Sequence, residues 1–386
     1  MPLTLLRCLI LAMALCGTTW AAAEPTTWIV GPDGDPMSFQ QALARAQDGD
    51  TIEVMPGVYK GQVGVIGQRR LTIRGTDPRP VFDADGKYAE GKASLVVRDG
   101  EVEIDNIEFR ANRVPDGNGA GIRFEKGKLL LKRCRLVDNQ NGLLTSNVGD
   151  AELTIEDSEF SNAPHQVGSL PHLLYAGRIG KLTVTGSRFH AGFEGHLIKS
   201  RARVTRIAYN LIYDGPGGEA SYEIDLPNGG DAVVIGNIIG QSSDTQNPVM
   251  IAYGSEGKAW DKNRLLLSHN TLISDYPLTW FLRSWPDKLT PDTEIRAINN
   301  LTVGTGLFSL ASAGSFSGNW PALQRMLVDP GALAFQLKPD SLLRGRDDDP
   351  GSLAGAEAVP TAEFKLPIGT RPLSPPAQWS PGALQR

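Results

Sequence analysis

Nine segments of this chain repeat one pattern of apolar and polar positions. They are LTIRG, EVEIDNIEFRAN, LLLKRCRLVDN, LTIEDSEFSNA, LTVTGSRFHAG, VTRIAYNLIYDG, AVVIGNIIGQ, LLLSHNTLISD and IRAINNLTVG. Each is an alternating strand, a small polar residue, a second short strand, and a turn rich in Gly, Asn and Asp. The polar residue falls at Asn106, Cys134, Ser158, Ser187, Asn210, Asn237, Asn270 and Asn300, with gaps of 28, 24, 29, 23, 27, 33 and 30. One such strand cannot bury its apolar face alone. Stacking like residues turn upon turn builds a continuous core and pairs each backbone with its neighbours above and below. The spacing is too short for the four-stranded blades of a β-propeller, which need about 40 residues each. The pattern therefore predicts an all-β solenoid, with the recurrent Asn positions as architecture at its corners.

The ends read differently. Ser38 followed by Gln41 fits a capping box opening a short amphipathic helix, which would plug the open first turn. From about Met326 the repeat fades into a last turn and cap. RPLSPPAQWSPGALQR is Pro-rich and reads as an extended tail over the surface. At the start, Arg7, the apolar run CLILAMALCG and Ala21-Ala22-Ala23 make a cleavable export signal. The expected organisation is a signal peptide at 1–23, a cap and first strand at 24–60, the solenoid at 61–345, and a terminal cap with tail at 346–386.

Composition sharpens this in two places. Past the signal, Cys134 is the single remaining cysteine. No internal disulfide can form, so rigidity must come from the stacked core. The formal charge of −5 becomes −6 without Arg7. An anionic partner would then need a local basic patch. No nucleic-acid module, phosphate loop, zinc spacing or further membrane-length apolar run is present. The expectation is a monomer in the periplasm or the medium.

Repeats of this form resemble the right-handed parallel β-helix proteins of the pectate lyase-like superfamily. SFQQALARAQDGDTIEVMPGVY looks like the entry segment common there. The likeness implies a single-stranded right-handed parallel β-helix with an N-terminal capping helix. A narrower likeness lies in EGHLIKSRARVTRIAYNLIYDG and the following YEIDLPNGGDAVVIGNIIG, which are similar to the chondroitinase B and alginate lyase family. In that family a Lys-Ser pair supplies the base, implying Lys199, with Glu194 and Ser200 fitting the same turn. The arginine that the family carries on the next turn falls at Pro227 here. The resemblance also raises Ca²⁺ as a cofactor.

Such lyases split a uronate chain by β-elimination, which needs a cation on the carboxylate, a base for the adjacent proton and an acid for the departing oxygen. His172 and His196 are 24 residues apart, as are Tyr175 and Lys199, so each pair should lie on neighbouring turns. From Pro171 to Arg206 the chain carries seven basic residues and one acid. Lys199 and Arg201, two apart in a strand, share a face, and crowding by cations would favour a neutral amine. Lys199 is the candidate base and Arg201 the neutraliser; His172, Tyr175 and His196 are candidates for acid or binding roles. Asp225 and Glu223 share a strand face on the next turn, for sugar hydroxyls, a Ca²⁺ site or a hydrolase acid. Asn228-Gly229-Gly230 reads first as a tight turn. Asn228, Arg203 and, on the turn beyond, Tyr253 are further candidates for substrate contact. The expected partner is an acidic polysaccharide or exopolysaccharide, degraded by a lyase. Hydrolase, epimerase and non-catalytic carbohydrate-binding readings stay open.

Overall fold

The structure, a computed structural model, describes residues 24–166, 168–309 and 314–386. The expected signal peptide lies outside the described residues. The chain winds as a right-handed parallel β-helix of three sheets with 12, 11 and 10 strands. Each coil lays one strand in the twelve-stranded sheet, turns a corner into the eleven-stranded sheet, and then crosses to the ten-stranded sheet. Like residues stack in parallel register; Leu129, Leu153 and Leu182 follow one another on successive coils. Phe160 and Phe189 stack with ring centroids 4.8 Å apart. Burial of each such side chain contributes about 1.5–3 kcal/mol, and this continuous column stands in for disulfides.

The first corner is ordered by the predicted small polar residues. The backbone N–H groups of Cys134 and Ser158 donate to the hydroxyls of Ser158 and Ser187. Those of Asn210, Asn237 and Asn270 donate to the side-chain oxygens of Asn237, Asn270 and Asn300 at 2.8–3.0 Å. Each residue before the corner takes a left-handed φ, as at Arg133, Asp157 and Tyr209. Asn106 departs from the expected series. Asp105 pairs with Lys132, so Asn106 aligns with Arg133, carries the left-handed φ of +56°, and leaves the corner to the buried Ile107.

The capping helix runs Phe39–Arg45, with both capping-box bonds between Ser38 and Gln41 formed. Its Phe39, Ala42 and Leu43 are buried over the first coil. The last residues are no loose tail. Beyond the strand Thr370–Pro372 they are irregular, yet Trp379, Ala383 and Leu384 are buried, and the last two join a core cluster with Leu301 and Phe335. Apolar side chains between the prolines drive this packing.

Candidate active site

The ten-stranded sheet positions the site. Register along its outer face runs Leu144, Tyr175, Lys199, Asp225, Ala252, Arg283. The residues one position earlier, Leu174, Ile198, Ile224, Ile251 and Leu282, point into the core. A second ladder forms two positions further back, where the rings of His172, His196 and Tyr222 follow one another at 4.9 and 4.8 Å, tilted by 42° and 36°. The 24-residue spacing thus brings His172, Tyr175, His196 and Lys199 onto one face.

Asp225 lies at the centre, 2 % exposed. Its Oδ2 is 3.1 Å from Lys199 Nζ and 3.2 Å from His196 Nε2. Burial raises its pKa, but the bond to His196 and the charges of His196 and Lys199 outweigh burial and hold the carboxylate below its ordinary value. His172 Nδ1 accepts the backbone N–H of His196 at 2.9 Å. Burial first, then the electrostatic influence of His196, Lys199 and Arg201, pushes the His172 imidazole well below its usual pKa.

Arg201 reaches over the cluster. Its Nε donates to Tyr175 Oη at 2.9 Å and one Nη to Asn228 Oδ1 at 2.5 Å. Its fork also grips Glu256 at 2.6 and 3.0 Å. Lys199 Nζ lies 3.4 Å from the same carboxylate. The bond from Arg201 is the main reason that the Glu256 carboxylate sits below its usual pKa. Burial works against the Arg201 cation, while Glu256 and Tyr175 more than restore it. Glu256 rides on a turn between Gly254 and Gly257, each at φ +84°, tied by its N–H to Pro227 O at 2.8 Å. Asn228 Nδ2 bonds Gly257 O at 3.0 Å, joining the two turns. Gly229 supplies the predicted tight turn, with φ +70° and no room for a Cβ against Asn263.

Several expectations need correction. Lys199 is flanked by two carboxylates rather than crowded by cations. The basic run along the chain is dispersed, with Lys181 and Arg206 in the twelve-stranded sheet and Arg188 in the eleven-stranded one. Arg203 is exposed at the turn into the twelve-stranded sheet, away from this row. Tyr253 points inward, fully buried, and donates to Gly230 O at 2.7 Å; Ala252 takes the outer position. Glu223 does not share the face of Asp225. It falls between the ladders, aligned with the buried Leu173, Leu197 and Met250, because the chain bends there and two successive residues turn inward. Its carboxylate has no hydrogen-bond partner, and burial followed by the nearby Asp214 pushes its pKa well up. Glu194 is exposed on its own turn. Asp225 and Glu223 therefore cannot converge on one Ca²⁺, and the described residues hold no group of three or more His, Cys, Asp or Glu set for a metal ion. Glu256, Tyr222, Trp280 and Arg283 escaped the sequence reading; only register reveals them.

No protein-family model matches the chain, and no curated protein matches it in sequence. Among the solved structures that share the fold are two lyases. A pectate lyase, Pel9A, superposes with a TM-score of 0.67 at 14% identity, covering 94% of this chain and 97% of its own. An alginate lyase from Paenibacillus sp. str. FPU-7 gives a TM-score of 0.52 at 15% identity, covering 77% and 99%. At such identity the likeness defines a shared scaffold, and activity must be argued from the side chains.

Proposed function

We propose that the protein is an exported polysaccharide lyase that cleaves an acidic, uronate-containing polysaccharide by β-elimination. One observation carries this reading: Arg201 and Lys199 hold a carboxylate, that of Glu256, in a fork with a second cation on one oxygen. A uronate carboxylate has the same shape and charge, and it takes this seat when Glu256 swings out on its glycine-flanked turn. Arg201 then stabilises the charge that builds up on the substrate carboxylate as the neighbouring proton leaves. Lys199 Nζ accepts that proton from carbon-5. The electron pair forms the carbon-4 to carbon-5 double bond as the carbon-4 to oxygen bond breaks, and the Tyr175 hydroxyl protonates the departing oxygen. His196 and Asp225 hold Lys199 in place, and His172 fixes the backbone of His196.

A hydrolase would need two carboxylates across the scissile bond. The inward turn of Glu223 takes it out of that pairing, and the two carboxylates that remain at the site, Asp225 and Glu256, are both held by Lys199. The alginate and pectate lyases of the same scaffold agree with the reading at the level of reaction type. The test is incubation with polygalacturonate and with alginate while ultraviolet absorbance is followed. An unsaturated product that appears with the native protein and not with Lys199→Ala supports the proposal. A new reducing end without absorbance, or a changed sugar without chain cleavage, sinks it. Export rests on residues 1–23; mature protein in the periplasm or medium, beginning near Glu24, is the expected product.

A further inference from the structure

Further along the same outer row, the register passes from Asp225 through Ala252 to Arg283. Neighbouring strands lie about 4.8 Å apart, so Arg283 begins roughly 10 Å beyond Asp225 along the helix axis. The methyl group of Ala252 leaves the space between them low. Arg283 is exposed. Its guanidinium carbon lies 4.7 Å from the ring centroid of Trp280 and 4.7 Å from that of Trp285. Among the described residues no carboxylate lies within ion-pair distance of it, unlike Lys199 and Arg201. Its charge reaches back toward the cluster, where it acts on the Tyr222 phenol. Two indoles fix the guanidinium without neutralising it, and a planar cation covered by rings keeps its N–H edge free for a planar anion. Lys288 Nζ, 5.7 Å from the Trp285 ring, also donates to Ser255 O at 2.8 Å, tying this wall to the turn that carries Glu256.

We propose that Arg283, held by Trp280 and Trp285, is a second subsite that binds the carboxylate of a further uronate unit of the chain cleaved at Lys199. The inference rests on the lyase reading for the identity of its ligand. A polymer lying along the helix axis would present one acidic unit to Arg201 and a later one to Arg283. Only chains long enough to span both would feel the second contact.

The experiment measures calorimetric affinity of native protein, Arg283→Ala and Trp285→Ala for size-fractionated oligosaccharides of polygalacturonate and alginate, with circular dichroism to confirm folding. The expected result is a loss of about tenfold for long chains in Arg283→Ala and no change for the shortest ones. Arg283→Lys should recover part of the loss. Equal affinity of native and Arg283→Ala at every length overturns the subsite, as does an equal loss at every length, or a native protein that binds neither polymer. The two readings separate cleanly. Elimination by native protein with a length-independent Arg283→Ala leaves the lyase standing and removes the subsite. Length-dependent binding through Arg283 without elimination does the reverse.

Discussion

Glu256 and Arg201 form a two-pronged ion pair, 2.6 and 3.0 Å, across turns 55 residues apart in sequence. The Glu256 side chain is 47% exposed, so the pair is worth about 1 kcal/mol or less after screening. An internal carboxylate in the seat proposed for substrate should compete with it. Glu256→Gln is therefore expected to lower KM by about threefold to fivefold with kcat little changed, since roughly 1 kcal/mol of competition disappears. An unchanged KM with a fallen kcat would instead make Glu256 a positioning residue.

Lys199 serves two purposes that mutation can separate. Lys199→Ala should reduce elimination by about 10²–10⁴-fold, the usual worth of a positioned base. It should also destabilise the fold by about 3–5 kcal/mol, because Asp225 loses one partner of a buried ion pair. Adding Asp225→Asn should restore the melting temperature and not the activity. If the double variant regains activity, Lys199 is a structural cation only.

Three buried carboxyls give stability a pH dependence with a definite sign. Burial raises Asp214 to about 6 and Asp347 to about 7, and it pushes Glu223 well up. A raised acid is more readily protonated folded than unfolded. Its contribution is full below the unfolded value near 4 and is lost as pH rises through the folded value. These three acids should thus lower the melting temperature between about pH 4 and pH 7, against the opposite slope of the buried His172 and His269, whose depressed values make stability rise with pH up to about 6.5. Asp347→Asn, which keeps an acceptor for Trp320 Nε1 at 2.8 Å, should flatten that decline and stabilise at pH 8. A steeper slope in the variant would refute the assignment. Glu159, held down to about 2 first by its bond from His190, acts oppositely and only in stronger acid.

The corner ladder and its apparent first member should behave differently. Asn237 accepts from Asn210 N–H and donates to Ile207 O, all buried. Asn237→Ala would leave those groups unpaired, at a cost of about 2–4 kcal/mol in denaturant unfolding. Asn106, outside the ladder, bonds Gly75 O and Asp77 where water can reach, and Asn106→Gly should change stability by about 0.5 kcal/mol or less. Equal losses at both positions would remove the distinction.

Much of this fold was legible because its signal is repeated. Alternation of period two returned nine times, and the small corner residues kept the count. Spacing alone also paired His172 with His196 and Tyr175 with Lys199. What failed was local. The bend at Glu223 breaks alternation, so parity carried from Asp225 assigned the wrong face, and Tyr253, a candidate for substrate contact, lies inward beside the outer Ala252. Asn106 was placed one residue out because an Asn resembled the ladder more than Ile107 did. Glu256 and Arg283 stand 57 and 84 residues beyond Lys199, and neither sits in a segment with a motif. Their place follows from register and loop path, which composition does not encode. Near Pro227, where the lyase resemblance sets an arginine, the guanidinium present is that of Arg201 from the coil before, bonded to Asn228.

The single-file row from Tyr175 to Arg283 means that every coil donates one side chain to it. Such a surface can be rewritten a letter at a time: exchanging the residue at Ala252 changes the floor between two contacts without disturbing the hydrogen bonds of the coils beside it. Preference for one polymer over another could drift by single exchanges, each silent in the core, and a family built this way would keep its shape long after its members had stopped agreeing on what they eat.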